Sequence, residues 1–268
     1  MASKGVSVCG HVLICAGSEE ARHVAMCLLR DGRYKVTCSL AGVVARPHLL
    51  PLCRYHIGGF GGIAGLCRFL VRERVDWVVD ATSPHAVTMK AHIVHACRVC
   101  SVKRIALWRR PWRAVAGDRW VEVADSRNAS VMLSRLLAGV PSHRRHVFLT
   151  IGRRDMASFD GVSCRFIVRS IDKPSRLPMG GLMASVWVSG RPPFTKEQDH
   201  EMMERYGVSF VVSRNSGGDA TYGKIEAARM RGIPVVMIRP PPPPPPPVAS
   251  SVAGLTAPFM LGNGIEAG

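Results

Sequence analysis

A short stretch near the end of the chain has the composition of an anion-binding site. In SRNSGGDATYGKIEAARMRGIPVVMI, residues 213–238, an apolar strand leads into an Asn-Ser-Gly-Gly loop and then into a helix that carries Lys224. Adjacent glycines at the start of a helix expose backbone N–H groups, which are common ligands of anions. Because a loop that only reverses the chain needs a single glycine, this pattern predicts an anion site.

A second candidate site follows the first apolar strand. The stretch CAGSEEA places Ala16, Gly17, Ser18 and Ala21 where dinucleotide-binding domains have the G-x-G-x-x-G fingerprint. The pattern is equally that of a tight turn with a capping serine, so both interpretations stay open.

The residues at the end of the second strand indicate which nicotinamide coenzyme the chain would bind. NAD sites place an acidic residue there to bind the ribose 2′-hydroxyl. This chain reads CSLAGVVAR, with Ser39, Gly42 and Arg46 and no acidic residue. Hydroxyl and guanidinium groups at this position favour a 2′-phosphate, and therefore NADP; the alternative is a solvated turn with a surface arginine.

The stretch DATSPHA also follows a strand, at the edge where open α/β sheets bind ligands. Asp80 could carry a proton or cap the next helix. Thr82 is a further candidate coenzyme ligand. The sequence around His85 is typical of a histidine that packs in the protein interior. We find no Ser-His-Asp arrangement, HExxH motif or P-loop.

Of nine cysteines only Cys97 and Cys100 have CxxC spacing, and they lie in a predicted helix, so no metal site is expected.

The elements that position these residues alternate between strand and helix twice along the chain. This alternation predicts an α/β protein with two Rossmann-like, doubly wound domains and mainly parallel sheets. We predict one such domain over residues 1–142 and the other over 143–239. The octaproline run and the small residues after it predict a Pro-rich disordered tail over 240–268.

The chain is strongly basic, with 36 Lys and Arg against 19 Asp and Glu and a formal charge of +17. Such a charge often indicates nucleic-acid binding. Here the basic residues form no long tail or run, which favours a polyanionic small molecule as the ligand. A nucleic-acid-binding module is the alternative from another functional class.

No apolar run reaches the roughly 18 residues of a membrane span, and no secretory signal is evident, so a cytoplasmic protein without membrane contact is expected.

The order of short motifs along the chain resembles the precorrin-6A reductase family of cobalamin biosynthesis. The resemblance covers about Val12 to Pro240 and rests on these stretches in sequence: AGSEEAR, SLAG, GGFGG, DATSPHA, RRPWRAVAGDRWVEV, VFLTIGR, RFIVRS, RPPFT, RNSGGDATYGKIEAAR and IPVVMI. It implies NADPH-dependent reduction of one ring double bond of precorrin-6A, giving precorrin-6B. It also implies two Rossmann-like domains that exchange their last strands, an NADP-binding domain over residues 1–142 and a substrate-binding domain over 143–239. We further expect a transient contact with the next enzyme of the pathway. The alternative within enzymes is another NADP-dependent reductase of a polycarboxylate.

The resemblance also implies which residues hold the acidic macrocycle, while the proton donor stays unassigned. The predicted substrate ligands are Arg110, Arg153, Arg169, Arg191, Arg214, Asn215, Ser216, Gly217 and Lys224. The predicted coenzyme ligands are Gly17, Ser18, Ser39, Gly42, Arg46, Asp80 and Thr82. The chain departs from the usual motifs at Ser83 and His85, where relatives read DATHPFA, and at Pro192, which replaces a glycine and removes an N–H donor.

Overall fold

The computed structural model describes residues 9–42, 49–171 and 186–260. These residues form two compact units. The first consists of the described residues up to Arg109 together with those from Pro241 onward, and the second runs from Arg110 to Pro240. None of the helices in the described ranges is long and apolar enough to cross a membrane.

The first unit is built on a six-stranded parallel sheet in the order β12-β5-β4-β1-β2-β3. Its strands are β1 (Gly10–Cys15), β2 (Tyr34–Leu40), β3 (Arg54–Ile57), β4 (Trp77–Asp80), β5 (Lys103–Leu107) and β12 (Val248–Ala249). Its helices are α1 (Glu19–Asp31), α2 (Gly62–Arg72), α3 (Val87–Val99) and α7 (Val252–Met260).

The second unit repeats this plan with a six-stranded parallel sheet in the order β6-β11-β10-β7-β8-β9. Its strands are β6 (Trp120–Val123), β7 (His146–Thr150), β8 (Arg165–Ser170), β9 (Val186–Ser189), β10 (Phe210–Arg214) and β11 (Val235–Ile238). Its helices are α4 (Ser126–Leu137), α5 (Lys196–Arg205) and α6 (Gly223–Met230), with short 3-10 helices at Ser142–Arg144 and Arg153–Phe159.

Both sheets have the strand order of Rossmann domains, so the predicted fold class is confirmed. In the first unit β1 lies at the centre, with β2 and β3 on one side and β4, β5 and β12 on the other. In the second unit β7 lies at the centre, with β8 and β9 on one side and β10, β11 and β6 on the other. The direction of winding therefore changes between β1 and β4 in the first unit and between β7 and β10 in the second. Ligands of such sheets bind at this switch point, beyond the carboxyl ends of the strands.

The predicted exchange of last strands is confirmed, and it makes the predicted domain boundaries wrong. Strand β6 follows the first five strands in sequence but pairs with β11 of the second sheet. Strand β12 follows the second set but pairs with β5 of the first sheet. Residues 110–142 therefore belong to the second unit, and the first unit is completed by residues from the end of the chain.

The prediction of a disordered tail over 240–268 is also wrong for the residues that the structure describes. After the proline run, Val248–Ala249 adds a strand to the first sheet, and helix α7 packs its buried Leu255 and Phe259 into the core of that unit. The ring of Phe259 makes edge contacts with Tyr34 and Trp77, at centroid distances of 5.5 and 5.1 Å. The burial of these apolar side chains explains why the segment is ordered.

Both faces of each sheet are covered, which explains the continuous apolar strands. In β1, Val12 and Ile14 pack on one face of the sheet while Leu13 and Cys15 pack on the other. Helix α1 begins as predicted, with Ser18 accepting a hydrogen bond from Ala21 N, and it ends at Gly32 in the left-handed conformation. Each sheet is thus a fixed frame for the loops at its carboxyl edge.

Candidate functional sites

In the first unit, the turn after β1 lies at the switch point and is open. Ser18 Oγ accepts from Ala21 N at 3.2 Å and donates to Ala81 O at 3.0 Å, which ties the start of α1 to the end of β4. A side-chain carbon placed on Gly17 would meet no atom within 4 Å. The turn therefore combines a helix N-terminus with free space beside it, which is the geometry that a pyrophosphate requires.

The structure describes Ser39 and Gly42 of the predicted ribose site at the end of β2. Ser39 is buried in the strand, and its carbonyl accepts a hydrogen bond from Ala16 N at 2.9 Å. Gly42 has a φ of 69°, and a side-chain carbon there would lie 3.4 Å from Gly58 Cα. The left-handed conformation is what favours glycine at this position. Arg46 lies outside the described residues.

Asp80 is fully occupied by contacts within its own unit. One carboxylate oxygen accepts from Thr82 N at 3.1 Å and from Thr82 Oγ1 at 2.6 Å, and the other accepts from Lys90 Nζ at 3.0 Å. All three residues are buried. Asp80 therefore fixes the loop after β4 onto helix α3 through an ion pair. Lys90 was not singled out in the sequence, because a lysine ten residues after an aspartate carries no local signal.

A second ion pair lies at the same edge of the first sheet. Arg109 Nη1 donates to both carboxylate oxygens of Glu20, at 2.7 and 2.8 Å. Burial acts to raise the pKa of Glu20, but the charge of Arg109 and its hydrogen bonds hold that pKa below its usual value. Glu20 lies in the first turn of α1, so Arg109 neutralises an acid that would otherwise repel a phosphate at this turn. Arg109 was also missed by the sequence analysis.

In the second unit, two of the predicted substrate ligands form a buried cationic cluster at the carboxyl edge of the sheet. Arg169, on β8, lies over the rings of Phe148 and Phe194, at 4.7 and 3.9 Å from their centroids, and pairs with Asp199. Burial lowers the pKa of Arg169 to about 10. The free oxygen of Asp199 has no hydrogen-bond partner among the described residues.

Lys224 is the second cation of this cluster. Its Nζ donates to Thr221 O at 2.6 Å and lies 5.0 Å from the centroid of Trp112. Burial, and next the charge of Arg169, lower the pKa of Lys224 to about 7. No carboxylate in the described part of the chain pairs with Lys224. The cluster thus has two basic groups and one acid, which leaves positive charge that a bound anion can neutralise.

Arg214 ends β10 on the same side of the sheet. It pairs with Asp155, and burial lowers its pKa. The chain at Gly152 passes directly beside the guanidinium, because a side-chain carbon there would lie 3.1 Å from Arg214 Nη1. The guanidinium is thus held in place by Asp155 and backed by the glycine that follows β7.

The Asn-Ser-Gly-Gly loop is held by the segment that carries Trp112. Asn215 Oδ1 accepts from Trp112 N at 2.8 Å, Asn215 Nδ2 donates to Trp112 O at 2.9 Å, and Trp112 Nε1 donates to Gly218 O at 2.8 Å. Gly217 and Gly218 have φ values of 62° and 72°. Two successive left-handed residues turn the loop, but α6 begins only at Gly223, so these glycines do not lie directly at the start of the helix as the sequence predicted. Through its hydrogen bonds to the backbone of Trp112, the side chain of Asn215 holds the loop in this conformation.

The other predicted substrate ligands have different surroundings. Arg110 is exposed, Arg191 is partly buried two residues after β9, and Ser216 Oγ lies 3.3 Å from Thr221 Oγ1. Arg153 begins the 3-10 helix after β7, and its side chain is outside what the structure describes. The topology therefore brings Arg153, Arg169, Arg191 and Arg214 to the carboxyl edge of one sheet. Within the described ranges, no three His, Cys, Asp or Glu side chains are grouped as metal ligands.

Comparison with known proteins gives consistent matches over nearly the whole chain. The family model described as Precorrin-6x reductase CbiJ/CobK matches residues 11–258. The chain is 36% identical to a precorrin-6A reductase of Rhodobacter capsulatus over 91% of this chain and 93% of that one. It is 34% identical to a precorrin-6A reductase of Mycobacterium tuberculosis, over 90% and 93% of the two chains. A solved structure titled CobK precorrin-6A reductase superposes with a TM-score of 0.83 at 33% identity, covering 96% of this chain and all of that one.

Proposed function

The chain belongs to the precorrin-6x reductase family, and from that premise we propose that it reduces precorrin-6A to precorrin-6B with NADPH. The observation that carries the substrate half of this proposal is the buried cluster of Arg169 and Lys224, which has one acid, Asp199, for two basic groups. Precorrin-6A is a macrocycle with many carboxylates. Carboxylates of the substrate would supply the negative charge that the cluster lacks.

The coenzyme half of the proposal is supported by the first unit. Its sheet has Rossmann topology, and the open turn at Gly17 and Ser18 lies at the switch point. Residues 34–42, which form β2 and the start of the following loop, contain no Asp or Glu. Without an acid to bind the ribose 2′-hydroxyl, this end of the strand favours the 2′-phosphate of NADPH over NADH.

In the proposed reaction the nicotinamide supplies a hydride and a proton completes the reduction of one carbon–carbon double bond. The protein orients the two reactants. Asp80 and Ser18 hold the loops around the coenzyme turn, because they link the ends of β1 and β4 to neighbouring elements. Arg169, Arg214 and Lys224 hold acidic side chains of the macrocycle through charge-assisted hydrogen bonds.

A cytoplasmic location and a transient contact with the next pathway enzyme are part of the same proposal. The eight cysteines from Cys15 to Cys164 are free thiols, which fits a reducing compartment.

The direct test is turnover with purified precorrin-6A. We expect NADPH oxidation to accompany the change in tetrapyrrole absorbance, with NADH at least roughly tenfold less effective, corresponding to about 1.4 kcal/mol of discrimination. Equal turnover with the two coenzymes would reject the NADPH assignment while leaving the reductase assignment intact. Failure with both coenzymes would reject the proposed substrate.

A further inference from the structure

Two cysteines of the first unit lie side by side on neighbouring strands. Cys38 is on β2, and Cys53 directly precedes β3, which pairs with β2 so that Thr37 is opposite Arg54 and Cys38 is opposite Tyr55. The two Sγ atoms are 3.3 Å apart and hydrogen-bond to each other, and both cysteines are free thiols. The sulfur atoms are therefore in contact without a covalent bond.

The two thiols differ in exposure and acidity. Cys38 is buried, whereas Cys53 is partly exposed. A hydrogen bond from Cys38 lowers the pKa of Cys53 to about 7, and the same interaction, together with burial, raises the pKa of Cys38 far above its usual value. Cys53 is thus partly exposed and more acidic than an ordinary thiol, which are the properties of a reactive cysteine. Cys38 is positioned as its resolving partner.

We propose that Cys38 and Cys53 form a redox-active pair that oxidises reversibly to an intramolecular disulfide. With hydrogen peroxide as the oxidant, the Cys53 thiolate attacks one peroxide oxygen and becomes a sulfenic acid, while the other oxygen leaves as hydroxide and takes up a proton to give water. The Cys38 sulfur then attacks the Cys53 sulfur, loses its proton, and displaces a second water. Two thiols lose two electrons in total, and one peroxide is reduced to two waters.

The position of the pair gives the disulfide a structural consequence. The bond would close a ring around residues 39–52, which include Ser39 and Gly42 at the end of β2. Oxidation would therefore add a covalent link between β2 and the residue that precedes β3. The site is independent of the proposed reaction, since neither thiol takes part in it.

Cys67 and Cys100 are the natural comparison within the same unit. Cys100 Sγ donates to Cys67 O at 3.9 Å, and burial, with a hydrogen bond to Cys67, raises the pKa of Cys100. This thiol stays protonated at neutral pH and is a poor nucleophile. Cys100→Ser therefore serves as a matched control for Cys53→Ser.

The test is oxidation of the reduced full-length protein with hydrogen peroxide, followed by alkylation and tryptic mass spectrometry without reduction. Cys38 and Cys53 fall in one tryptic peptide, residues 36–54, because trypsin does not cleave between Arg46 and Pro47. We expect this peptide to escape alkylation and to be two hydrogens lighter than its dithiol form. Dithiothreitol should restore both alkylation sites, and Cys100→Ser should behave as the wild type.

The single variants distinguish the proposed role of Cys53 as the nucleophile from that of Cys38 as the resolving thiol. In Cys38→Ser, Cys53 should accumulate as a sulfenic acid that dimedone traps, because its resolving thiol is missing. In Cys53→Ser, Cys38 should stay reduced. Full alkylation of the wild-type peptide after oxidation, or a disulfide that joins Cys67 to Cys100 instead, would overturn the proposal.

Discussion

At the scale of single residues, the second unit contains a buried cation, Lys224, that no carboxylate of the described residues pairs with. Burying a charge without a partner is unfavourable unless the group is neutralised or binds an opposite charge. Arg169 has Asp199 as its partner, whereas Lys224 has a carbonyl and the face of Trp112. Burial, and next the charge of Arg169, lower the pKa of Lys224, so the proposed binding of a substrate carboxylate by Lys224 should depend on pH.

We predict that KM for precorrin-6A rises as the pH rises through about 7, the pKa of Lys224. The lysine is charged below this pH and neutral above it, so attraction for a substrate carboxylate is lost as pH increases, with a limiting slope of about tenfold per pH unit. Arginine stays charged throughout, so Lys224→Arg should flatten the dependence. Steady-state kinetics between pH 6 and 9 would measure how KM for precorrin-6A depends on pH in both proteins, with KM for NADPH as the control. The same pH profile in both proteins would show that Lys224 does not hold the substrate.

We predict that Arg169→Met destabilises the second unit by about 3–5 kcal/mol, because it leaves the buried carboxylate of Asp199 unpaired. The double variant Arg169→Met/Asp199→Leu should be more stable than this single variant, since it removes both charges. Urea unfolding of the wild type, Arg169→Met, Asp199→Leu and the double variant measures the difference. A double variant as unstable as the sum of the two single variants would contradict the pairing.

At the scale of elements, helix α7 is one that the sequence analysis missed. Eight prolines followed by small residues favoured disorder, and Leu255 and Phe259, four residues apart, were the available sign of a helix face. By contrast, the capping roles of Ser18 and Thr195 and the end of α1 at Gly32 were predictable, because each depends on a few adjacent residues. The Asp80–Lys90 and Glu20–Arg109 pairs depend on tertiary contacts that local patterns do not encode.

We predict that Phe259→Ala destabilises the first unit by about 3–5 kcal/mol, the usual cost of removing a buried phenylalanine side chain. Phe259 is 1% exposed, whereas the adjacent Met260 is 43% exposed. Met260→Ala is therefore the matched control and should change stability by less than about 0.5 kcal/mol. Thermal or urea unfolding reports both effects. A similar small effect for both variants would mean that α7 adds little to this unit.

At the scale of the whole molecule, the exchange of last strands decides how the chain can be divided. All six strands of the second sheet lie between Arg110 and Pro240, whereas the first sheet needs strands from both ends of the chain. The alternation of strands and helices predicted two Rossmann-like domains. The exchange itself was expected only from the family resemblance, since a strand carries no local mark of the sheet that it joins.

We predict that a fragment of residues 110–240 folds on its own, while a fragment of residues 143–240 does not. The shorter fragment lacks β6 and α4, and α4 contributes the buried Ala129 and Leu133 to the core. Circular dichroism and cooperative urea unfolding would compare the two fragments. Cooperative folding of the shorter fragment would show that the exchanged strand is dispensable.

The most direct test of the whole account is the transfer of a label from coenzyme to substrate. With NADPH deuterated at the transferable position of the nicotinamide and precorrin-6A as substrate, mass spectrometry should find a single deuterium in each reduced macrocycle. The same incubation with unlabelled NADPH in deuterated water should place the second hydrogen from solvent. Reduced macrocycle without deuterium from the coenzyme would contradict hydride transfer from NADPH.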